Sequence, residues 1–313
     1  MNSGAAAAAS GAGAAPGAVT LLVNPAAGGS TGERVAARAA RRLLGRGVEV
    51  DVVAGRDAAE TRERARACVS AGAGVLAVAG GDGMVHLALQ ELAGSSTALA
   101  VLPTGTGNDF ARVLGIPSAN PDAAADVLIG GVRRSIDLGR CSPPEDADRP
   151  LWFGTVLTSG FDSLVVERTD RMRWPRGRMR YAAAVMAELG RLRPLPFTVE
   201  ADGHEEHLEA VLVAVGNTAF YGGGMRICPH ADPGDGRLAV TAVGPATSGQ
   251  LLRAFPRIYR GTHTTHPLVR TFHARRVRLH TPGMRAYADG EPAGALPLHA
   301  EAVPGAVEVL VPR

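Results

Sequence analysis

The sequence predicts two domains of different class, an α/β domain with a parallel sheet followed by a β-rich domain. Residues 19–137 alternate short apolar runs with amphipathic segments, which is typical of parallel βαβ units. Residues 138–313 instead carry short apolar runs separated by turn residues, with few helical signals. At 313 residues and 46% hydrophobic content, the chain is long enough for each domain to bury its own core.

In the first domain, the pattern predicts strands at Val19–Pro25, Val48–Val53, Gly74–Gly81 and Ala98–Pro103, with helices at Glu33–Leu44, Asp57–Ser70 and Met84–Leu92. Parallel strands linked by helices place their carboxyl ends at one edge of the sheet, and ligands bind in the crevice there. Three of the loops that follow these strands are rich in glycine. The sequence therefore predicts a ligand site at this edge.

In the second domain, strands are predicted at Trp152–Val166, Phe197–Ala201, His207–Val215, Arg237–Val243, Arg275–His280 and Ala286–Asp289, and helices at Met179–Leu189 and Ser248–Tyr259. The last eight residues, AVEVLVPR, alternate well enough for one more strand. Either domain can accept that strand in its sheet.

Residues 1–18 are rich in alanine and glycine and lack the basic and apolar regions of a signal peptide, so we expect a disordered leader. No later run approaches the ~20 apolar residues that a membrane-spanning helix needs. The three cysteines, Cys68, Cys141 and Cys228, are an odd number and lie far apart. They predict a reduced, cytoplasmic protein without a disulfide framework.

All 33 basic residues are arginine, and the sequence contains no lysine. This excludes the P-loop lysine, the strand lysine of protein kinases and every Schiff-base lysine. Any phosphate chemistry must therefore use backbone amides, arginine and metal.

The three glycine loops are Asn24–Gly29 (NPAAGG), Gly80–Gly83 (GGDG) and Gly105–Asp109 (GTGND). Exposed glycine amides before a helix N-terminus form an anion site, and phosphate is the natural ligand. Any one such loop is explained by a tight turn, but three at one edge favour phosphate binding. Neither a Walker loop nor a G-x-G-x-x-G fingerprint in the first turn is present.

Asp82 and Asp109 lie inside two of these loops. A carboxylate there repels phosphate unless a cation lies between them, and Mg²⁺ is the cation expected. Capping of the following helix is the alternative role for both side chains.

An ordered set of motifs identifies a family: NPAAGG, GGDGMVHLALQ, LPTGTGNDFARVLGIP, DLGR, GFDSLV, RMRWPRGRMRY, YGGGMRICPHADPGDGRL and YADGEP. Together they resemble the bacterial diacylglycerol kinase family of lipid kinases, which includes sphingosine and ceramide kinases, and most resemble its actinobacterial members. GGDG alone is shared with NAD kinases and phosphofructokinases. The resemblance implies a Rossmann-like nucleotide-binding domain, as in NAD kinases, and a β-sandwich domain.

The resemblance also implies the ligand contacts. ATP would be held by Asn24, Pro25, Ala26, Ala27 and Gly28, by Gly81, Asp82, Gly83, Met84, Val85, His86 and Leu87, and by Thr106, Asn108 and Asp109. Asp82 and Asp109, with Asp137, would organise water and Mg²⁺ around the phosphates. A separate structural Mg²⁺ would be bound by Asp235, with Asp232 and the Arg237 carbonyl contributing.

For catalysis, the resemblance points to the turn Asp289-Gly290-Glu291, which would supply the base for the lipid hydroxyl, with Asp82 as a further catalytic residue. In an extended turn both carboxylates point to the same side. We expect Glu291 to be the base and Asp289 its orienting or metal-side partner. Without the resemblance, a surface β-turn is the simpler interpretation.

The sequence departs from the family at two places. The usual G-G-D-G-T-x-N-E becomes G-G-D-G followed by Met84, Val85, His86 and Leu87, and a threonine usual near residues 52–56 is missing. The side-chain contacts to nucleotide stay open at these positions. Backbone amides survive the changes, so phosphate binding is expected to survive too.

Six arginines surround Trp174 in the segment Glu167–Tyr181, namely Arg168, Arg171, Arg173, Arg176, Arg178 and Arg180. Arginine attracts anionic head groups and tryptophan favours the interface, which predicts peripheral docking on the inner face of the cell membrane. A solvated loop and a nucleic-acid patch are the alternatives. A net charge of only +3 and the absence of a nucleic-acid-binding motif disfavour the latter.

The predicted function is an ATP- and Mg²⁺-dependent lipid kinase that phosphorylates diacylglycerol to phosphatidic acid. An NAD kinase-type phosphotransferase is the enzymatic alternative, although it gains no support from the arginine-rich loop. A non-catalytic nucleotide- or lipid-sensing module is the alternative of another class, and retention of Asp82, Asp109 and Glu291 argues against it. The sequence does not fix the lipid alcohol or the oligomeric state, for which a homodimer is one option.

Overall fold

The computed structural model describes residues 18–23, 30–174 and 178–313, and for Ser30, Thr31 and Arg178 it describes the backbone only. All but the last residue of the predicted leader lies outside these residues. So do the predicted ATP-binding loop Asn24–Gly28 and Arg176 of the predicted membrane-docking segment.

The first domain contains four parallel strands, β1 (Val19–Val23), β2 (Val50–Ala54), β3 (Val75–Gly80) and β4 (Ala98–Pro103), in the order β2-β1-β3-β4. The helices are α1 (Ser30–Leu44), α2 (Ala58–Ser70), α3 (Asp82–Leu92), α4 (Asp109–Val113) and α5 (Pro121–Gly130). Every residue of β1, β3 and β4 is buried, as expected for a parallel sheet covered on both faces. The predicted α/β class is confirmed.

The same sheet continues into the second domain through β5 (Val132–Ser142), β6 (Leu151–Phe153), β8 (Leu195–Ala201), β9 (His204–Ala210), β13 (Arg276–His280) and β16 (Leu298–Val311). The C-terminal strand β16 is parallel to β4 and antiparallel to both β5 and β13. It therefore lies at the junction between the parallel and antiparallel parts of the sheet.

A second, antiparallel sheet contains β7 (Val156–Gly160), β10 (Leu212–Gly216), β11 (Leu238–Val243), β12 (Val269–Ala274), β14 (Arg285–Ala288) and β15 (Glu291–Ala295). Side chains from both sheets, among them Phe153, Leu157, Phe197 and Leu279, form one buried cluster. This is the core of a β-sandwich. The helices of this half are α6 (Phe161–Arg171), α7 (Arg178–Leu189) and α8 (Ser248–Arg260).

Two strand predictions in this half are wrong. The predicted strand Trp152–Val166 ends at Gly160, where φ is +102°, and α6 begins at Phe161. Phe161, Leu164 and Val165 follow helical spacing, which the β-branched residues obscured. The predicted strand His207–Val215 is divided at Val211 because the chain passes there from one sheet to the other: β9 pairs with β8, whereas β10 pairs with β7 and β11.

Candidate active site

Two glycine turns meet at the carboxyl edge of the parallel sheet. One joins β3 to α3 and the other joins β4 to α4. A Cβ added at Gly105, in the turn after β4, would lie 2.6 Å from the Cα of Gly81, in the turn after β3, so only glycine permits this approach. Asn108, at φ +53°, closes the second turn by accepting from the Gly105 N–H (3.0 Å) and donating to the Gly105 carbonyl (2.9 Å).

Helix α3 begins beside these turns, and its N-cap residue, Gly81, makes no side-chain hydrogen bond to the helix. The Met84 N–H donates to the Gly81 carbonyl (3.0 Å), whereas the N–H groups of Asp82 and Gly83 have no hydrogen-bond partner among the described residues. These two groups remain available to an anion, and the helix dipole favours negative charge there. The side chains of Met84 and Val85 pack into the hydrophobic core instead. In this part of the predicted nucleotide loop, backbone amides are therefore the groups left for an anion.

The Asp82 and Asp109 carboxylates lie at the same edge. Asp82 accepts from the N–H of Phe110 (3.2 Å), and its Oδ2 lies 2.8 Å from the position of a Cβ added at Gly107. Burial raises the pKa of the Asp82 carboxyl, and the charge of Asp109 raises it further. The Asp82 carboxyl is therefore a poorly solvated acidic group.

Asp109 accepts through one oxygen only, from the N–H of Gly223 (2.7 Å). Its Oδ1 is buried and has no hydrogen-bond partner among the described residues, and the nearest cation, Arg112 Nε, is 3.8 Å away. Burial raises the pKa of this carboxyl as well. A buried carboxylate with an unsatisfied oxygen, Asp109, next to the half-buried carboxylate of Asp82 fits a hard divalent cation such as Mg²⁺.

The predicted catalytic turn is a tight hairpin between β14 and β15. Its two loop residues, Asp289 and Gly290, have φ of +55° and +86°, as in a type I′ turn. The expectation of an extended turn is therefore wrong, although both carboxylates reach α3, Asp289 at His86 and Glu291 at Gly83. The left-handed backbone turns Asp289 into the protein and leaves Glu291 exposed on the following strand.

Asp289 is saturated with hydrogen bonds. Its side chain is 3% exposed and accepts from Gly154 N–H (2.9 Å), Thr155 N–H (2.7 Å), Thr155 Oγ1 (2.6 Å) and His86 Nδ1 (3.1 Å). Burial acts to raise the pKa of Asp289, but the bonds from His86, Thr155 and Gly154 outweigh it and lower the pKa. A carboxylate held in this way orients its neighbours and is a poor proton acceptor.

The Glu291 carboxylate is in the opposite situation. No hydrogen bond or ion pair to it is found among the described residues, and its Oε1 lies 3.4 Å from the position of a Cβ added at Gly83. The hairpin thus brings the Glu291 carboxylate next to the backbone of the glycine loop Gly80–Gly83. Thr106 of the third loop is exposed at the same edge of the sheet.

The structure places Asp137 at the loop Asp232–Arg237. Its carboxylate accepts from Gly236 N–H (2.7 Å) and from Gly305 N–H (2.8 Å) in β16. Asp235 accepts from the Arg237 N–H (2.9 Å), and Asp232 accepts from the Gly234 N–H (3.0 Å). Within the described residues, no three His, Cys, Asp or Glu side chains converge as a metal site, so a cation here needs backbone carbonyls.

The arginine-rich segment presents apolar side chains beside its charges. Trp174 is 81% exposed and Met179 is 69% exposed, while Arg168 pairs with Glu188 and Arg171 pairs with Glu167. Arg173 is exposed next to Trp174. Among the residues that the structure describes, no helix is both long and apolar enough to cross a membrane.

Gly105→Ala tests the contact between the two glycine turns. The added methyl group would meet backbone at 2.6 Å, so the turns must separate. Because a displacement of about 1 Å at a site can cost about 10²-fold in rate, we expect kcat/KM for the nucleotide substrate to fall by about 10²-fold. Gly74→Ala is the matched control, since nothing lies within 4 Å of its added Cβ. Equal kcat/KM in the two variants would show that the turns need no such contact.

Comparison with known proteins places these features in a family. Residues 18–141 match the family described as "Diacylglycerol kinase catalytic domain". Residues 155–311 match the family described as "YegS C-terminal NAD kinase beta sandwich-like domain". A diacylglycerol kinase of Mycobacterium tuberculosis is 47% identical, covering 95% of this chain and 96% of its own. A diacylglycerol kinase of Bacillus subtilis is 27% identical, covering 88% and 90%.

A crystal structure of a diacylglycerol kinase from Bacillus anthracis superposes with a TM-score of 0.69 at 20% identity. It covers 95% of this chain and 97% of its own. At that identity the similarity concerns the fold, which is the two-domain arrangement described above.

Proposed function

Because the chain belongs to the diacylglycerol kinase family of lipid kinases, we propose that it transfers the γ-phosphoryl group of ATP to the hydroxyl of diacylglycerol, giving phosphatidic acid. The enzyme class, a phosphotransferase, follows from the family. The observation that best supports the proposed reaction is the position of the Glu291 carboxylate beside Gly83, where it has no hydrogen-bond partner among the described residues. It would place a proton acceptor next to the backbone that is available to phosphates.

In the proposed mechanism, the N–H groups at the start of α3 bind the ATP phosphates, and Asp82 and Asp109 would hold Mg²⁺. Bound Mg²⁺ would neutralise negative charge on the phosphates. Glu291 takes the proton of the lipid hydroxyl as the hydroxyl oxygen forms a bond to the γ-phosphorus. The bond between that phosphorus and the β–γ bridging oxygen breaks, and ADP leaves. Asp289 fixes the turn that carries the base.

A second cation is proposed at the loop Asp232–Arg237, held by Asp235 with Asp232 and the Arg237 carbonyl. Asp137 supports this loop from β5 through Gly236. We therefore propose Asp137 as part of this structural site, linked to the rest of the domain through β16.

Incubation with γ-labelled ATP, Mg²⁺, a panel of lipid alcohols and NAD tests the function. Label in phosphatidic acid is expected, with sphingosine and other alcohols labelled more slowly. Label in NADP alone would replace the proposal with an NAD kinase. Nucleotide binding without any labelled product would favour a sensing module.

We also propose peripheral docking on the inner face of the cell membrane through the arginine-rich segment. Neutralising Arg171, Arg173 and Arg176 together should weaken binding to anionic vesicles by roughly 1 kcal/mol per arginine and flatten its salt dependence. Sedimentation with vesicles of phosphatidylcholine, with and without phosphatidylglycerol, measures both effects. Neutralising Arg34, Arg41 and Arg46, which are exposed in and after α1, is the control for net charge. Equal losses in both triple variants would reduce the effect to net charge and contradict a specific patch.

A further inference from the structure

His86 joins the helix of the second glycine loop to the catalytic hairpin. It is 7% exposed and contacts Asp289 Oδ2 through Nδ1 at 3.1 Å. Gly83 and His86 are three residues apart in α3, so they share a helix face, and Asp289 and Glu291 flank Gly290. Since Glu291 lies against Gly83, these four residues form a closed ring of contacts. The contact between His86 and Asp289 is thus one of two contacts in this ring that join the hairpin carrying Glu291 to α3.

The neighbouring Gln90 fixes which imidazole nitrogen carries the hydrogen. Its Nε2 donates to the carbonyls of His86 (2.9 Å) and Trp152 (2.7 Å), which uses both amide hydrogens, while its Oε1 accepts from the Trp152 N–H (3.0 Å). This amide nitrogen is 3.5 Å from His86 Nε2 and has no lone pair to offer a second N–H. Because the pKa of Asp289 is lowered, its carboxylate is ionised and can only accept, so Nδ1 carries the hydrogen and donates it to Asp289.

We propose that His86 is a positioning residue for phosphoryl transfer: its Nδ1–H holds Asp289, and with it the hairpin that keeps the Glu291 carboxylate at Gly83. This inference rests on the proposed function. Gly154 and Thr155 also bind Asp289, but both lie in the segment before β7, so they fix the hairpin to the β-sandwich. The bond from His86 fixes it to the nucleotide-binding helix. In this proposal His86 acts through Asp289.

Two substitutions separate positioning from packing. Leucine keeps a side chain of similar bulk at position 86 but removes the donor. Asparagine loses most of the ring but places its amide nitrogen at the level of the imidazole Nδ1, so it can donate to Asp289. If only packing matters, His86→Leu is the milder change. If the donor matters, His86→Asn is the milder change.

We expect kcat for lipid phosphorylation to fall by about 10- to 10²-fold in His86→Leu, with the KM for ATP within about twofold, because a small displacement of a base slows chemistry more than binding. His86→Asn should recover kcat to within about threefold of the parent. His204→Leu, an exposed histidine at the start of β9, is the control. Equal losses in the Leu and Asn variants, or no loss in His86→Leu, would overturn the proposal.

Hydrogen–deuterium exchange of the hairpin gives a readout that does not depend on lipid turnover. The Asp289 N–H donates to the Val156 carbonyl (3.1 Å) and reports opening of the turn. It should exchange faster in His86→Leu and return towards the parent rate in His86→Asn. Unchanged exchange in His86→Leu overturns the inference even if the protein phosphorylates diacylglycerol. Faster exchange with no labelled lipid from the parent would instead refute the proposed function and leave the contact supported.

Discussion

Glu291→Gln is expected to lower kcat by about 10²–10⁴-fold while changing ATP binding little, because the amide keeps the shape of the side chain but cannot accept a proton. The structure supports this expectation through contrast within one turn: Asp289 is bound by four donors, and Glu291 by none among the described residues. Turnover of labelled diacylglycerol gives kcat, and calorimetry with a non-hydrolysable ATP analogue gives the affinity.

The control for charge loss is Glu63→Gln, an exposed position on α2. Asp289→Asn offers a second comparison. Its amide would direct N–H groups at the donors of Gly154, Thr155 and His86, so both activity and Tm should fall. Glu291→Gln should leave Tm unchanged. Near-normal lipid phosphorylation by Glu291→Gln would remove it as the base, because the hydroxyl proton must then leave by another route.

The sequence predicts the glycine edge well because the evidence for it is local. The apolar runs of β3 and β4 are buried on both faces, and such runs are recognised without knowledge of the partner strands. A glycine turn between a strand and a helix is recognised in the same way, because the requirement for glycine in a tight turn is local. The close approach of Gly81 and Gly105 then follows from the neighbouring positions of two parallel strands.

The catalytic hairpin could not be read in the same way. Asp-Gly is a strong signal for a type I′ turn, but only the structure shows that Asp289 points inward, because its donors lie far away in sequence. The Asp109–Gly223 contact spans 114 residues and escaped prediction for the same reason. The sequence identified His86 as a departure from the family pattern within the nucleotide loop. The structure shows that its side chain contacts the hairpin.

The assignment of Asp137 illustrates the same limit. The motif of which it is part predicted a role at the ATP phosphates, whereas the structure shows its oxygens on Gly236 and Gly305. A motif marks that a carboxylate is needed, but it does not say on which side of a strand the partner lies. The roles of these residues stay predictions, and the substitutions described here test them.

Asp82→Asn is expected to lower Mg²⁺-dependent kcat by about 10²–10³-fold, since charge stabilisation by a bound metal is worth several kcal/mol and about 1.4 kcal/mol corresponds to tenfold in rate. The fold should survive because the asparagine Oδ1 can still accept from the Phe110 N–H. Titration of lipid phosphorylation with Mg²⁺ at saturating ATP measures the effect. Asp51→Asn, at an exposed position on β2, is the control.

The stability of the same variant tests the electrostatic argument independently of turnover. The pKa of Asp82 is raised by burial, so folding without metal favours its protonated form. The ionised carboxylate then lowers stability above this raised pKa, and the penalty disappears as the pH falls towards the ordinary carboxyl range. We expect Asp82→Asn to raise the Tm of the metal-free protein near neutral pH, with the difference shrinking as the pH is lowered. Added Mg²⁺ with a non-hydrolysable ATP analogue should stabilise the parent more than the variant. Equal Mg²⁺-dependent shifts in Tm would exclude Asp82 as a cation ligand, and a lower Tm for the metal-free variant at neutral pH would show that its charge is already compensated within the protein.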